Sequence, residues 1–150
     1  MAKKPVITAK EAAAMIPEGA TIMCGGFLAC GQARAIVKEL VASGKGGFTL
    51  IANDMARAVG PMGEEFYGIA ELIHNNQVKR VIATHVGMTP EVGEKHTAGE
   101  LEVFLLPQGT LAECIRAIAV YITPTMPSTP AKIYEQLGLT DENLMTWDSV

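Results

Sequence analysis

Hydrophobic and polar positions fall into short blocks along this chain, and the blocks switch between helix and strand periods. Thr8-Ala9-Lys10-Glu11 has the hydroxyl and carboxylate spacing of a capping box, so a short helix continuing over Ala12 to Ile16 is expected, stopped by Pro17-Glu18-Gly19. Ala20 to Cys24 is a mostly apolar run of strand length and reads as a buried strand that ends at Gly25-Gly26. A helix is predicted from about Gln32 to Ser43, terminated by Gly44. Phe48 to Ala52 is the next strand, with the polar pair Asn53-Asp54 at its carboxyl end. A helix from about Glu65 to Asn75, a strand from Val78 to Thr84, a helical turn around Pro90 to Lys95 and a strand from Leu101 to Leu106 continue the pattern. Pro107-Gln108-Gly109 then turns into a helix beginning near Thr110.

Such alternation predicts an α/β fold, a three-layer α/β/α arrangement around a mainly parallel sheet. Residues 1–122 are expected to form the α/β domain, and residues 123–150 a Pro/Thr-rich linker with a short helical tail, Ala131 to Leu137, and a last turn capped by Thr140. Ligands of such sheets bind beyond the carboxyl ends of the strands, where Gly26, Asn53 and Gln108 are expected.

Composition narrows the function classes. Aromatic residues are only 5% of the chain, which suits close packing of helices on a sheet better than a large aromatic core. A net charge of -4 with scattered basic residues gives no footprint for nucleic acid. No segment approaches the roughly 20 apolar residues of a membrane helix, and the N-terminus lacks the apolar core of a signal peptide, so a soluble cytoplasmic protein is expected. Cys24, Cys30 and Cys114 are odd in number and sit in apolar surroundings, where free cysteine behaves as a small hydrophobe; no redox motif joins them. His74, His85 and His96 show no metal-ligand spacing, and no metal site is expected.

Gly25-Gly26-Phe27-Leu28-Ala29-Cys30-Gly31 is the most informative stretch. Paired glycines let a backbone approach a ligand and aim N–H groups at negative charge, although they also serve tight turns. Gly26 and Gly31 have P-loop separation, but Gln32-Ala33 replaces the phosphate- and magnesium-binding pair, which disfavours nucleotide hydrolysis. Gly44-Lys45-Gly46-Gly47 precedes a strand, the wrong context for dinucleotide binding. Asn53 and Asp54 either orient a carboxylate or cap the following segment, and the local pattern favours the cap. Gln108 either donates to an oxyanion or satisfies a turn carbonyl. Glu100 and Glu102 read as a solvated strand edge.

Together these stretches resemble the alpha subunits of family I (3-oxoacid) CoA-transferases, the group of the acetate/acetoacetate and butyrate–acetoacetate enzymes. Glu18 to Ala33 is similar to the family's first signature, departing from it at Glu18 and Ala33. Asn76-Gln77-Val78-Lys79-Arg80, Val86-Gly87, Gly99-Glu100-Leu101-Glu102-Val103 and Pro107 to Glu113 with Ile115-Arg116-Ala117 follow in the family's order, over about residues 5–125. The resemblance implies transfer of CoA between an acyl-CoA and a short-chain carboxylic or 3-oxo acid through a nucleophilic glutamate of a beta subunit, by way of an acyl-glutamyl anhydride and a glutamyl-CoA thioester. It implies that Gly25, Gly26 and Phe27 line the acyl site, that Asn53 holds the substrate carboxylate and that Gln108 stabilises the oxyanion. The CoA thioester is then a substrate and no cofactor is needed, and the expected assembly is a heterotetramer with the beta subunit.

The chain also departs from the family pattern. It is longer around Pro61 to Gly68, lacks the glycine-rich segment expected after Ala117 and is shorter at its C-terminal end. The family's Ser-Glu-Asn-Gly nucleophile motif does not occur. Asp141-Glu142-Asn143-Leu144 imitates it but follows Thr140 as a helix N-terminus would. A second reading is therefore a truncated, non-catalytic subunit that binds acyl-CoA or a partner. The shortened sheet is expected to expose an apolar surface.

Overall fold

The computed structural model describes residues 6–122 and 128–136 of the 150-residue chain. Its elements are α1 (Ala9–Ala14), β1 (Thr21–Cys24), α2 (Arg34–Ser43), β2 (Phe48–Asp54), β3 (Arg57–Val59), β4 (Glu65–Tyr67), α3 (Ala70–His74), β5 (Val78–His85), α4 (Pro90–Thr97), β6 (Glu102–Leu105), α5 (Gln108–Ile122) and α6 (Ser128–Gln136). They divide into two compact units, one up to Leu105 and one from Leu106 onward. The stretch from Thr123 to Pro127 and the turn expected at Thr140 lie outside the described residues.

The first unit is built on a four-stranded sheet of order β1-β2-β5-β6, parallel throughout, with flanking helices. This is the α/β fold expected. Consecutive strands of the sheet are neighbours, so right-handed crossovers place α2, α3 and α4 on the same face. One core agrees with this: Val37 and Leu40 of α2, Leu72 and Ile73 of α3 and Val92 of α4 pack with Leu50 and Ala52 of β2 and Val81 and Ala83 of β5. Strand alternation turns the next row, Met23, Ile51, Ile82 and Phe104, to the other face. That row ends in exposed side chains, Met23 at 49% and Phe104 at 52%. An apolar surface is thus present, as expected.

Local chemistry sets the first helix. Thr8 Oγ1 accepts the Glu11 N–H at 3.2 Å, and the Glu11 carboxylate accepts the Thr8 N–H at 2.8 Å, completing the capping box. These bonds hold the Glu11 carboxyl below its ordinary value. At the other end, Lys45 Nζ donates to the carbonyls of Ala14 at 3.0 Å and Ile16 at 2.7 Å, tying α1 to the turn after α2. α2 stops where Gly44 adopts the left-handed conformation, φ 67°.

Four expectations change. β1 is an edge strand with Thr21 and Met23 exposed, because no strand among the described residues pairs on its outer side. The helix expected over Glu65 to Asn75 is split: Glu65–Tyr67 pairs antiparallel with Arg57–Val59, and only Ala70–His74 is helical. The break lies at Gly68, φ +71°, where a Cβ would collide with Gln32 Oε1 and crowd Ala29. Gln32 Oε1 needs that space to accept the Ile69 N–H at 3.1 Å, a contact from 37 residues away that no local pattern encodes.

The remaining two changes are in the second unit. α5 begins at Gln108, earlier than the expected start near Thr110, with the Leu111 N–H bonded to the Pro107 carbonyl at 3.0 Å. Ser128-Thr129-Pro130, expected to be irregular, opens α6; Pro130 stands in the first turn, where a missing N–H leaves no helical bond unmade. Ala119 and Val120 of α5 pack with Ile133 and Tyr134 of α6.

Leu50 is fully buried at the centre of the sheet core. Leu50→Ala is expected to lower the free energy of unfolding by about 2–5 kcal/mol, measured by urea titration; a loss well below that range would place the core elsewhere.

Candidate functional site

The glycine loop after β1 is a strained structure held from outside. Phe27 and Cys30 exchange backbone hydrogen bonds, Phe27 N–H to Cys30 O at 3.1 Å and Cys30 N–H to Phe27 O at 2.9 Å. The two residues between them, Leu28 and Ala29, have φ of 48° and 69°, so a two-residue turn is built from side chains that disfavour this region. Each such residue costs on the order of 1–2 kcal/mol and persists only where its surroundings over-determine it.

Asp54 supplies that determination. It lies at the carboxyl end of β2, is 2% exposed, and its carboxylate accepts three hydrogen bonds. Oδ2 takes the Leu28 N–H at 3.0 Å and the Asn53 Nδ2 at 3.1 Å; Oδ1 takes the Ala56 N–H at 2.9 Å. The Ala56 bond is the cap that the Asn-Asp pattern favoured. The Leu28 bond reaches 26 residues back in the chain and was not foreseen. Thr84 Oγ1, on the adjacent strand β5, donates to the Asn53 carbonyl at 2.8 Å and lies 3.2 Å from its side-chain oxygen.

The glycines divide into two kinds. A Cβ on Gly26, φ +109°, would strike the Cys30 carbonyl, so the turn itself requires glycine there. A Cβ on Gly25 would meet nothing within 4 Å, so the fold leaves that position open for something else to approach. Phe27 at the tip is 62% exposed. The loop and Asn53, expected to act together, therefore meet on a single carboxylate oxygen. Gln108 lies in the second unit, exposed in the first turn of α5.

Sequence reasoning missed the residues that brace this loop: Asp54 as its anchor, Gln32 as the acceptor of the Ile69 N–H, and the hairpin β3–β4. The hairpin carries Tyr67, whose ring centroid lies 3.7 Å from the Arg34 guanidinium at the start of α2, and Glu64, 3.9 Å from Arg34. Glu64's carboxyl sits below its ordinary value because backbone N–H groups, its own and that of Met62, donate to it, with Arg34 and Lys38 nearby.

Other candidate residues are structural. Glu102 pairs with Arg80 across β5 and β6 at 2.6 Å on an exposed edge, and Glu100 precedes the strand. Burial raises the Cys24 thiol above its ordinary value, which keeps it protonated and poorly nucleophilic. Among the described residues, no helix is long and apolar enough to cross a membrane.

Residues 6–129 match the family described as Coenzyme A transferase. The chain is 40% identical over 127 residues to the acetate CoA-transferase subunit alpha of Escherichia coli (strain K12), covering 82% of this chain and 54% of that protein. It is 45% identical over 100 residues to the acetoacetyl-CoA:acetate/butyrate CoA transferase alpha subunit of Clostridium acetobutylicum, covering 67% of this chain and 43% of that one. The chain thus spans about half the length of these curated relatives. The crystal structure of an acyl-CoA transferase apoenzyme (YdiF) from Escherichia coli O157:H7 superposes with a TM-score of 0.65 at 23% identity, over 78% of this chain and 23% of that one, a likeness of fold.

Asp54→Ala is expected to cost on the order of 3 kcal/mol of stability by leaving buried N–H donors unsatisfied. Amide exchange at Leu28 and Ala56 should accelerate well beyond that at the β2 core, whereas uniform acceleration would show that Asp54 supports the whole sheet and not the loop.

Proposed function

Because the chain belongs to the coenzyme A transferase family, we propose that it is the alpha-type subunit of an enzyme moving CoA between an acyl-CoA and a short-chain carboxylic or 3-oxo acid. A beta subunit brings the nucleophilic glutamate, and the working assembly is a heterotetramer in the cytoplasm. The observation that carries this reading is the braced loop: Gly25 is open to an approaching ligand, and Asn53 stands on the same carboxylate oxygen that holds the loop.

Each residue then has a definable task. The Asn53 amide spends one N–H on Asp54, and its second N–H is free by valence to donate to a substrate carboxylate. The backbone at Gly25 and Gly26, with Phe27 beside it, lines the acyl group. The Gln108 amide donates to the oxyanion that forms when the thioester carbonyl is attacked. The CoA thioester enters as substrate and no resident cofactor is called for. Anchoring by Asp54 matters here because Asn53 and the loop are already in place before the acid binds, so little ordering is left to be done on binding.

Co-purified with its beta subunit, the chain should transfer CoA from acetoacetyl-CoA or butyryl-CoA to a short acid; no transfer by a folded complex across several acids would sink the proposal. Gln108→Ala should lower the rate on the order of 100-fold or more. Asn53→Ala should raise KM for the acid roughly 10- to 100-fold, the worth of one hydrogen bond to a charged group. Gly25→Ala should fold as the parent does yet lose transfer, because its Cβ meets no chain atom; full activity in that variant would return the glycine pair to a turn role alone.

A further inference from the structure

Asn53 is gripped at both ends of its side-chain amide. Nδ2 donates to the Asp54 carboxylate at 3.1 Å, and the Thr84 hydroxyl donates on the oxygen side, 2.8 Å from the Asn53 carbonyl and 3.2 Å from Oδ1. A carboxylate only accepts, so the end of the amide that faces Asp54 must be the nitrogen. Thr84 answers at the other end. Its single proton lies between two oxygens of one residue, one on the backbone and one on the side chain, and so ties the amide to its own strand.

The sheet brings the two residues together. Ala52 stands opposite Ala83 and Asp54 opposite His85, so Asn53 and Thr84 are level on parallel strands about 4.8 Å apart. Alternation puts both side chains on one face. Threonine suits the task, because branching at Cβ restricts χ1 and so fixes where the hydroxyl stands. Without that hydroxyl the amide would keep only its bond to Asp54 and could swing about it.

We propose that Thr84 is a positioning residue for the transfer reaction: its hydroxyl holds the Asn53 amide so that the N–H not spent on Asp54 faces the carboxylate of the acid. The proposal rests on the reading of Asn53 as the carboxylate donor and adds the residue that aims it. An amide held by its nitrogen alone must be ordered when the acid binds, so the cost of losing Thr84 falls on acid binding and not on the chemical step.

The test uses the full chain co-purified with its beta subunit. Thr84→Val, which keeps the shape and removes the hydroxyl, should raise KM for the acid roughly 5- to 10-fold, the worth of one neutral hydrogen bond, with kcat nearly unchanged. Thr84→Ser, which keeps the hydroxyl, should stay within about twofold of the parent. Thr84→Ala serves where Thr84→Val fails to fold. In an Asn53→Ala background, loss of the hydroxyl should add nothing, because the residue it aims is gone. Full additivity there overturns the assignment. So does a KM that rises in Asn53→Ala and stays put in Thr84→Val, even if stability and kcat fall, which is the mark of a merely structural role. An isotope-edited NMR spectrum of the full chain gives a readout without turnover: the Asn53 side-chain amide should shift and exchange faster in Thr84→Val, and an unchanged signal overturns the proposal. A loosened amide with KM unmoved in both Thr84→Val and Asn53→Ala keeps the aiming role and overturns the carboxylate reading beneath it.

Discussion

A buried carboxylate at the end of β2 receives donors from the glycine loop that leaves the neighbouring strand β1 and from the turn that follows β2 itself. Asp54 takes one N–H from the glycine loop, one from its own following turn and one from the Asn53 side chain. The loop needs this hold. Leu28 and Ala29 occupy a backbone region that costs each of them on the order of 1–2 kcal/mol, and hydrogen bonds to a charged acceptor return a comparable amount. β2 can carry such an anchor because it is an interior strand, flanked by β1 and β5 and packed on the main core. Burial of Leu50 and Val81 thus fixes where Asp54 stands, Asp54 fixes the loop, and the loop presents Gly25.

What was legible in the sequence was mostly what short-range chemistry decides. The Thr8 and Glu11 spacing, the stop at Gly44 and the apolar runs of β2 and β5 each encode their own element within a few residues. The pattern over Glu65 to Asn75 predicts one helix, but its break is decided by Gln32, which needs Gly68 to leave room for its amide. β1 was expected to be buried because its residues are apolar, yet edge position is a property of the sheet as a whole. The Asn53-Asp54 pair was visible as chemistry, but only its local half, the cap on Ala56, could be read from neighbours in the chain.

Family membership and geometry constrain different things. The match over residues 6–129 gives the family; the loop gives a braced backbone with Asn53 beside it. None of the residues gathered at Asp54 is a nucleophile. They are donors and open backbone gathered around one buried carboxylate. The hairpin β3–β4 is clamped to α2 through Arg34 and Tyr67 and follows Asn53 and Asp54 in the chain.

The central claim is a division of labour, with the reacting carboxylate on a partner subunit and the supporting site on this chain. Mass spectrometry of the complex after brief incubation with an acyl-CoA and an acid quench locates it directly. The account predicts a covalent CoA adduct on a glutamate of the partner subunit and none on this chain. An adduct on this chain, at Glu142 or any other carboxylate, would contradict it.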